Sequence, residues 1–99
     1  MRYYFTMIIS FKNKETEKIW SQQYSKNLPR DMQKIGLRKL IIINRAKDLN
    51  DLKIPPGNKL EKLTGDRQDQ YSIRINNQWR ICFYWENGVA NSVEITDYH

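Results

Sequence analysis

The fold of this 99-residue chain is decided by the stretch Tyr71-Ser-Ile-Arg-Ile, Asn76-Asn, Gln78-Trp-Arg-Ile-Cys-Phe-Tyr-Trp. Apolar and polar residues alternate in both halves, as they do in strands with one buried face. Asn76 and Asn77 separate the halves, and asparagine tolerates the positive φ of a tight turn. The stretch therefore predicts an antiparallel hairpin.

The alternation also assigns side chains to the two faces of the hairpin. The main apolar face carries Tyr71, Ile73, Ile75, Trp79, Ile81, Phe83 and Trp85. The opposite face carries Ser72, Arg74, Arg80, Cys82 and Tyr84. After a second turn signal, Asn87-Gly88, we expect a last strand with Val89, Val93 and Ile95 on one face.

Helical signals dominate the first half of the chain. We expect a short strand over Met7–Phe11 and a first helix from Asn13, a good N-cap, to about Ser25. That helix would place Trp20 and Tyr24 on one face.

A second helix is expected from Pro29 to Arg45 or Lys47, because apolar residues recur there at helical spacing. Residues 48–58, with Pro-Pro-Gly, are expected to form a loop. We predict one α+β domain over residues 1–99, with residues 1–6 as an extension. Its two N-terminal helices pack on a small, mostly antiparallel sheet of about four strands.

Positive charge is concentrated in one segment. The net charge is +6, and residues 12–47 hold ten Lys or Arg against three acids. A basic segment favours an RNA or DNA partner, and the alternative is a solvated, lysine-rich helix face. Cys82 is the single cysteine, which suits a reducing cytoplasm. The longest apolar run, Leu40–Ile43, is far too short to cross a membrane.

The sequence offers polar residues for metal-free phosphate chemistry. One Cys and one His do not make a zinc site, and no nucleotide-binding glycine pattern is present, so we expect neither metal nor cofactor. A ribonuclease needs a base, a fixed cation and an acid. Glu61, Arg80 and His99 are the candidates for these roles, and Tyr98 could stack on a base.

Each of these residues also has a simpler interpretation. His99 could be exposed and idle, and Glu61 a solvated loop residue. Arg80 could be a surface ion-pair partner of Glu94 across the sheet.

The order of signals resembles the HigB-type toxins of the RelE/ParE superfamily. The resemblance runs from about residue 7 to the end. It rests on Lys59-Leu-Glu-Lys-Leu-Thr-Gly-Asp, Tyr71-Ser-Ile-Arg-Ile, Trp79-Arg-Ile, Glu86-Asn-Gly and Asp97-Tyr-His.

The resemblance implies a RelE-like fold and ribosome-dependent cleavage of mRNA without a metal. It also implies neutralisation by a HigA-type helix-turn-helix antitoxin, through which alone operator DNA would be contacted. Arg80 falls on the family's phosphate-stabilising arginine, and Tyr98 and His99 on its terminal catalytic pair. We expect the RNA-binding residues to be Lys59, Lys62, Arg74, Arg30, Lys34 and Arg38.

The chain departs from the family pattern at three positions. Glu61 stands where these toxins commonly carry a histidine, Thr64 where they carry a lysine, and Asn76 where they carry an arginine. Glu61 instead looks like the glutamate of YoeB-type toxins. The general base is therefore Glu61, or else Lys59 or Lys62 replaces the missing charge.

Two other functions compete with the ribonuclease. One is a ParE-like inhibitor of DNA gyrase, although such chains generally lack the terminal histidine. The other is a non-catalytic RNA- or protein-binding module that uses the basic helix.

Overall fold

The computed structural model describes residues 8–97, which form two helices followed by a four-stranded sheet. The elements are α1 (Lys14–Trp20), α2 (Arg30–Arg45), β1 (Glu61–Lys62), β2 (Gln70–Arg74), β3 (Trp79–Glu86) and β4 (Val89–Asp97). This architecture confirms the predicted α+β fold. Within the described range, no helix is both long and apolar enough to cross a bilayer.

The sheet is antiparallel throughout, with the strand order β1-β2-β3-β4. The two predicted hairpins are present, and Asn87 and Gly88 adopt φ of 54° and 80° at the second turn. Strand β1 was not predicted, since it has two residues and pairs only with Tyr71 and Ser72. A strand of two residues is too short to show alternation.

The strand predicted at Met7–Phe11 is wrong in its described part, and Met7 lies outside the described residues. Ile8 and Phe11 form two isolated parallel bridges, to Ala90 and Val93 of β4. The segment therefore lies along β4 without forming a regular strand.

The core lies between the two helices and one face of the sheet. Ile73 and Ile81 are cross-strand partners at the centre of that face, and both are fully buried. Gly36 of α2 faces the ends of Ile95 and Ile75. The predicted apolar face of the β2–β3 hairpin is thus the face that the helices cover.

The predicted face of β4 is wrong at Val89. Ala90, Val93 and Ile95 are the buried residues of this strand, and Val89 is only partly buried. The cause is a register shift between Cys82 and Tyr84, opposite Ser92, whose φ is 52°. A β-bulge inserts one residue, so alternation on its two sides is out of phase.

The first helix is shorter than predicted. It ends at Trp20 because Gln22 adopts a φ of 63°. Gln22 and Gln23 donate their backbone N–H groups to the carbonyls of Ile19 and Lys18, which is a Schellman ending. Tyr24 therefore lies beyond the helix and does not share a face with Trp20. A glycine usually marks this ending, and here the sequence has none.

The loop over residues 48–58 is ordered by its own hydrogen bonds. Asp48 and Asp51 form a capping box on a short 3₁₀ helix, Leu49–Lys53. The side chain of buried Asn58 donates to the carbonyls of Leu52 and Ile54. These bonds set the direction in which the chain enters β1.

Gly36 provides a test of the helix–sheet packing. A Cβ at this position would lie 3.5 Å from Ile95 Cδ1 and from Met32 Sδ, which is ordinary contact. We expect Gly36→Ala to raise the free energy of unfolding by about 0.5–1 kcal/mol, because alanine favours the helix and fits. Urea denaturation measures the change. Gly36→Leu is the control and should lower it by about 1–3 kcal/mol through overpacking; equal effects would contradict the packing.

Candidate active site

The sheet face opposite the helices carries rows of polar and charged side chains. Cross-strand pairing aligns Glu61, Ser72, Cys82 and Glu94 across the four strands. The next row aligns Arg74, Arg80 and Thr96. Side chains directly opposite one another in a sheet share a face. Arg74 and Arg80 therefore lie on the face predicted from the alternation.

Arg80 is the most tightly held of these residues. Its side chain is only 8% exposed. Its Nε donates to Ser72 Oγ at 2.8 Å, and its Nη2 donates to the carbonyl of Lys59 at 2.8 Å. These bonds fix the plane of a buried guanidinium, whose planar fork of donors suits phosphate oxygens. The alternative interpretation, a surface ion pair with Glu94, is wrong, because Glu94 lies opposite Cys82 and pairs with Arg67 and Lys12.

Glu61 lies beside Arg80 at the entrance to the site. Its Oε1 is 3.2 Å from Arg80 Nη2, and its side chain is 48% exposed. The short strand β1 positions it, since Glu61 is the register partner of Ser72. The sequence-predicted base and cation are thus in contact, and the carboxylate remains open to solvent.

A cleft of about 290 Å³ opens next to this pair. It is lined by Glu61, Lys62, Leu63, Thr64, Arg67, Cys82, Thr96 and Asp97. Among residues 8–97, no group of His, Cys, Asp and Glu is arranged to hold a metal ion. The residues that line the cleft come from β1 and the segment after it, from β3, and from the end of β4.

Arg67 was missed by the sequence analysis, although it lines this cleft. Its Nη1 lies 3.1 Å from Glu94 Oε1 and 3.2 Å from Gln70 Oε1. Burial opposes its charge, but the hydrogen bond to Glu94 and the charges of Cys82, Glu94 and Tyr84 together outweigh that effect and raise the pKa of Arg67. The turn signal Gly65-Asp66 directly before Arg67 could have indicated its place, because the turn Gly65–Arg67 lies between β1 and β2.

Cys82 lies at the floor of the cleft and is 1% exposed. Burial raises the pKa of its thiol, and the charges of Arg67 and Arg80 only partly offset the effect. A neutral, buried thiol is a poor nucleophile. Cys82 is therefore a packing residue of the cleft.

The other predicted residues fall into two groups. Lys62 lines the cleft, the carbonyl of Lys59 accepts a hydrogen bond from Arg80, and Arg74 is the register partner of Arg80. The second group, Arg30, Lys34 and Arg38, is exposed on α2, the helix that packs on the opposite face of the sheet. Tyr98 and His99 lie outside the described residues.

The fold and the site define a small α+β protein in which a buried arginine contacts a carboxylate that lines an open, polar cleft. The family model for the RelE-like toxin of the type II toxin-antitoxin system HigB matches residues 9–99. Toxin HigB-1 of Vibrio cholerae is 39% identical over 85 residues, which cover 85% of this chain and 90% of that protein. Endoribonuclease HigB of Proteus vulgaris is 34% identical over 94 residues, covering 94% and 100%. The chain belongs to the HigB-like family of RelE-like toxins, and an antitoxin is the partner of such a toxin.

Ser72 tests how firmly Arg80 is held. Ser72→Ala should lower the free energy of unfolding by about 1–3 kcal/mol, because the buried Nε–H of Arg80 loses its acceptor. The measurement is urea denaturation. In an Arg80→Met background the same change should cost clearly less, since the donor is absent. Equal costs in both backgrounds would show that the hydroxyl does not serve the arginine.

Proposed function

We propose that this chain is a metal-free endoribonuclease that cleaves mRNA on the ribosome and is neutralised by a HigA-type helix-turn-helix antitoxin. Its family and the name of the Proteus vulgaris relative support the ribonuclease activity. The family match favours this function over gyrase inhibition and over a non-catalytic binding module. Operator DNA would be contacted only through the antitoxin.

One observation carries the proposal, the 3.2 Å contact between Glu61 Oε1 and Arg80 Nη2. A phosphodiester bound to Arg80 places its 2′-oxygen close to a solvent-open carboxylate. Arg80 is already oriented by Ser72 and by the carbonyl of Lys59, so it need not reorganise when charge develops on the phosphate. The pair thus combines a fixed cation with an adjacent proton acceptor.

The proposed reaction uses Glu61, Arg80 and His99. Glu61 accepts the proton of the 2′-hydroxyl, and the 2′-oxygen attacks the phosphorus. Arg80 stabilises the additional negative charge on the non-bridging oxygens. The bond to the 5′-oxygen breaks, and His99 donates a proton to that leaving oxygen. The products are a 2′,3′-cyclic phosphate and a free 5′-hydroxyl.

Tyr98 and His99 are assigned by their place in the chain. They follow Asp97, the last residue of β4, which lines the cleft. Their place in the sequence, directly after a residue that lines the cleft, supports a role for them in the reaction. We assign His99 as the acid and Tyr98 as a ring that stacks on a base.

Two basic surfaces divide the RNA contacts. Lys59, Lys62 and Arg74 surround the site and would contact the mRNA. Arg30, Lys34 and Arg38 lie on the helical layer, on the other side of the sheet, and would contact ribosomal RNA. Both surfaces consist mainly of exposed cations, as phosphate-backbone binding requires.

Glu61→Gln tests the general base. The change keeps the shape and removes the proton acceptor, so cleavage of mRNA on programmed ribosomes should fall by roughly 10²–10⁴. The assay maps the new 5′ ends by primer extension. Lys59→Gln and Lys62→Gln are the matched comparisons and should retain substantially more activity. If Glu61→Gln cleaves like the wild type while a lysine variant fails, the lysine carries the role.

Deletion of Tyr98 and His99 tests the acid. The truncated protein should still fold and bind its antitoxin, because Ile95 is the last core residue within residues 8–97. It should not cleave ribosome-bound mRNA, and His99→Ala alone should remove most of the activity. Thermal melts control for folding. Cleavage at the wild-type rate by the folded truncation would refute the assignment of His99.

A further inference from the structure

The edge of β2 is open beyond its short partner strand. Strand β1 pairs only with Tyr71 and Ser72, so the part of β2 that leads to Arg74 has no strand on that side. The turn Pro56–Asn58 contacts β2, and the antiparallel register of Glu61 on Ser72 directs the residues before Glu61 along this open part of the strand. Lys39 of α2 reaches the same place, where its ammonium donates to the Asn58 amide oxygen. Lys39 therefore links α2 to the open edge of the sheet through Asn58.

Three cations come together at this edge. Lys39 bonds to the turn that contacts β2, Arg38 directly precedes it on α2, and Arg74 is the last residue of β2. In agreement with this placement, burial lowers the pKa of Lys39, and the charges of Arg38 and Arg74 lower it further. The contacts that Lys39 and Arg74 make are with neutral amides, those of Asn58 and Asn77. Within residues 8–97, no carboxylate forms an ion pair with any of the three. Like charges held together without an anion repel one another, so a bound anion would stabilise this arrangement.

The cluster is continuous with the Arg80 site. Arg74 is the direct cross-strand partner of Arg80, and such pairs have Cβ atoms about 4.5–5.5 Å apart. Lys59 follows Asn58 and accepts the hydrogen bond of Arg80 Nη2. A polyanion with one phosphate on Arg80 would therefore bring a neighbouring phosphate to Arg74.

We propose that Arg38, Lys39 and Arg74 form a second phosphate-binding subsite, which holds the RNA phosphate next to the scissile one. The proposal rests on the proposed ribonuclease function. It extends the RNA contacts to Lys39, and it assigns Arg38 to the mRNA in place of ribosomal RNA. The subsite lies next to Arg80, and this favours RNA over an acidic protein segment as the ligand. The phosphates of an RNA backbone repeat closely enough for one strand to occupy the Arg80 site and the subsite at once.

The test measures binding of a non-cleavable 2′-O-methyl RNA octanucleotide to the full chain. Each oligonucleotide carries a neutral methylphosphonate at one linkage, and titrations run from 50 to 200 mM salt. The variants are Arg38→Gln, which is exposed, and Lys39→Gln. Lys14→Gln with Lys26→Gln is the control, since both lysines are exposed and outside every proposed site. Thermal melts report folding, and Arg38→Gln decides the question if Lys39→Gln is destabilised.

Each variant should lose one phosphate contact, which reduces the slope of log affinity against log salt concentration by about 0.7. Between 50 and 200 mM salt, the RNA affinity of a variant should therefore fall by a factor about 2.6 times smaller than that of the wild type. At one linkage position, the methylphosphonate should weaken RNA binding to the wild type and to the control. At that same position it should have no further effect on the variants, because they have already lost that phosphate contact.

Unchanged salt slopes would overturn the proposal. So would variants whose RNA affinity still falls with the methylphosphonate at every linkage position. It also fails if the variants bind RNA normally and lose affinity for poly-glutamate. Normal RNA binding by a wild type that leaves ribosome-bound mRNA intact would overturn the ribonuclease function and leave the subsite supported.

Discussion

The burial of one guanidinium within the sheet is the constraint on which the site depends. A buried arginine is costly unless its donors are paired. Here Ser72 and the carbonyl of Lys59 supply acceptors, and Glu61 supplies the opposite charge. Lys59, whose carbonyl is one of these acceptors, adopts a φ of 45° at the end of the turn over residues 56–58. The irregular loop and the short strand β1 are therefore parts of the arginine site.

The sequence predicted the features that local rules determine. Alternation placed Arg74 and Arg80 on the face opposite the core, and Asn87-Gly88 located the tight turn of the last hairpin. Asn13 caps the first helix with its side chain, as predicted. These properties depend on neighbouring residues alone, which is why they could be predicted from a single chain.

The remaining features depend on contacts between distant residues. Gln22 and Ser92 adopt positive φ without being glycine, and each shifts the pattern that follows it. Arg67 enters the cleft because Glu94, 27 residues later, accepts its hydrogen bond. The contact of Glu61 with Arg80 likewise requires the register of β1 on β2. No local pattern specifies these distances, so Glu61 and Arg80 were predicted as candidates, but their contact and the presence of Arg67 in the cleft were not.

The helical layer also reaches the cleft through β4. Buried Thr16 of α1 donates its hydroxyl hydrogen to the side chain of the helix cap, Asn13, and accepts the backbone N–H of Ile95. This bond occupies an N–H group at the outer edge of β4, beyond the bridges made by residues 8–11. Because β4 ends at Asp97 in the cleft, the helix cap on one face of the sheet fixes a strand whose end lines the cleft on the other. A domain of this size can thus position its site with hydrogen bonds that pass from one layer to the other, and it needs no additional structural element for that purpose.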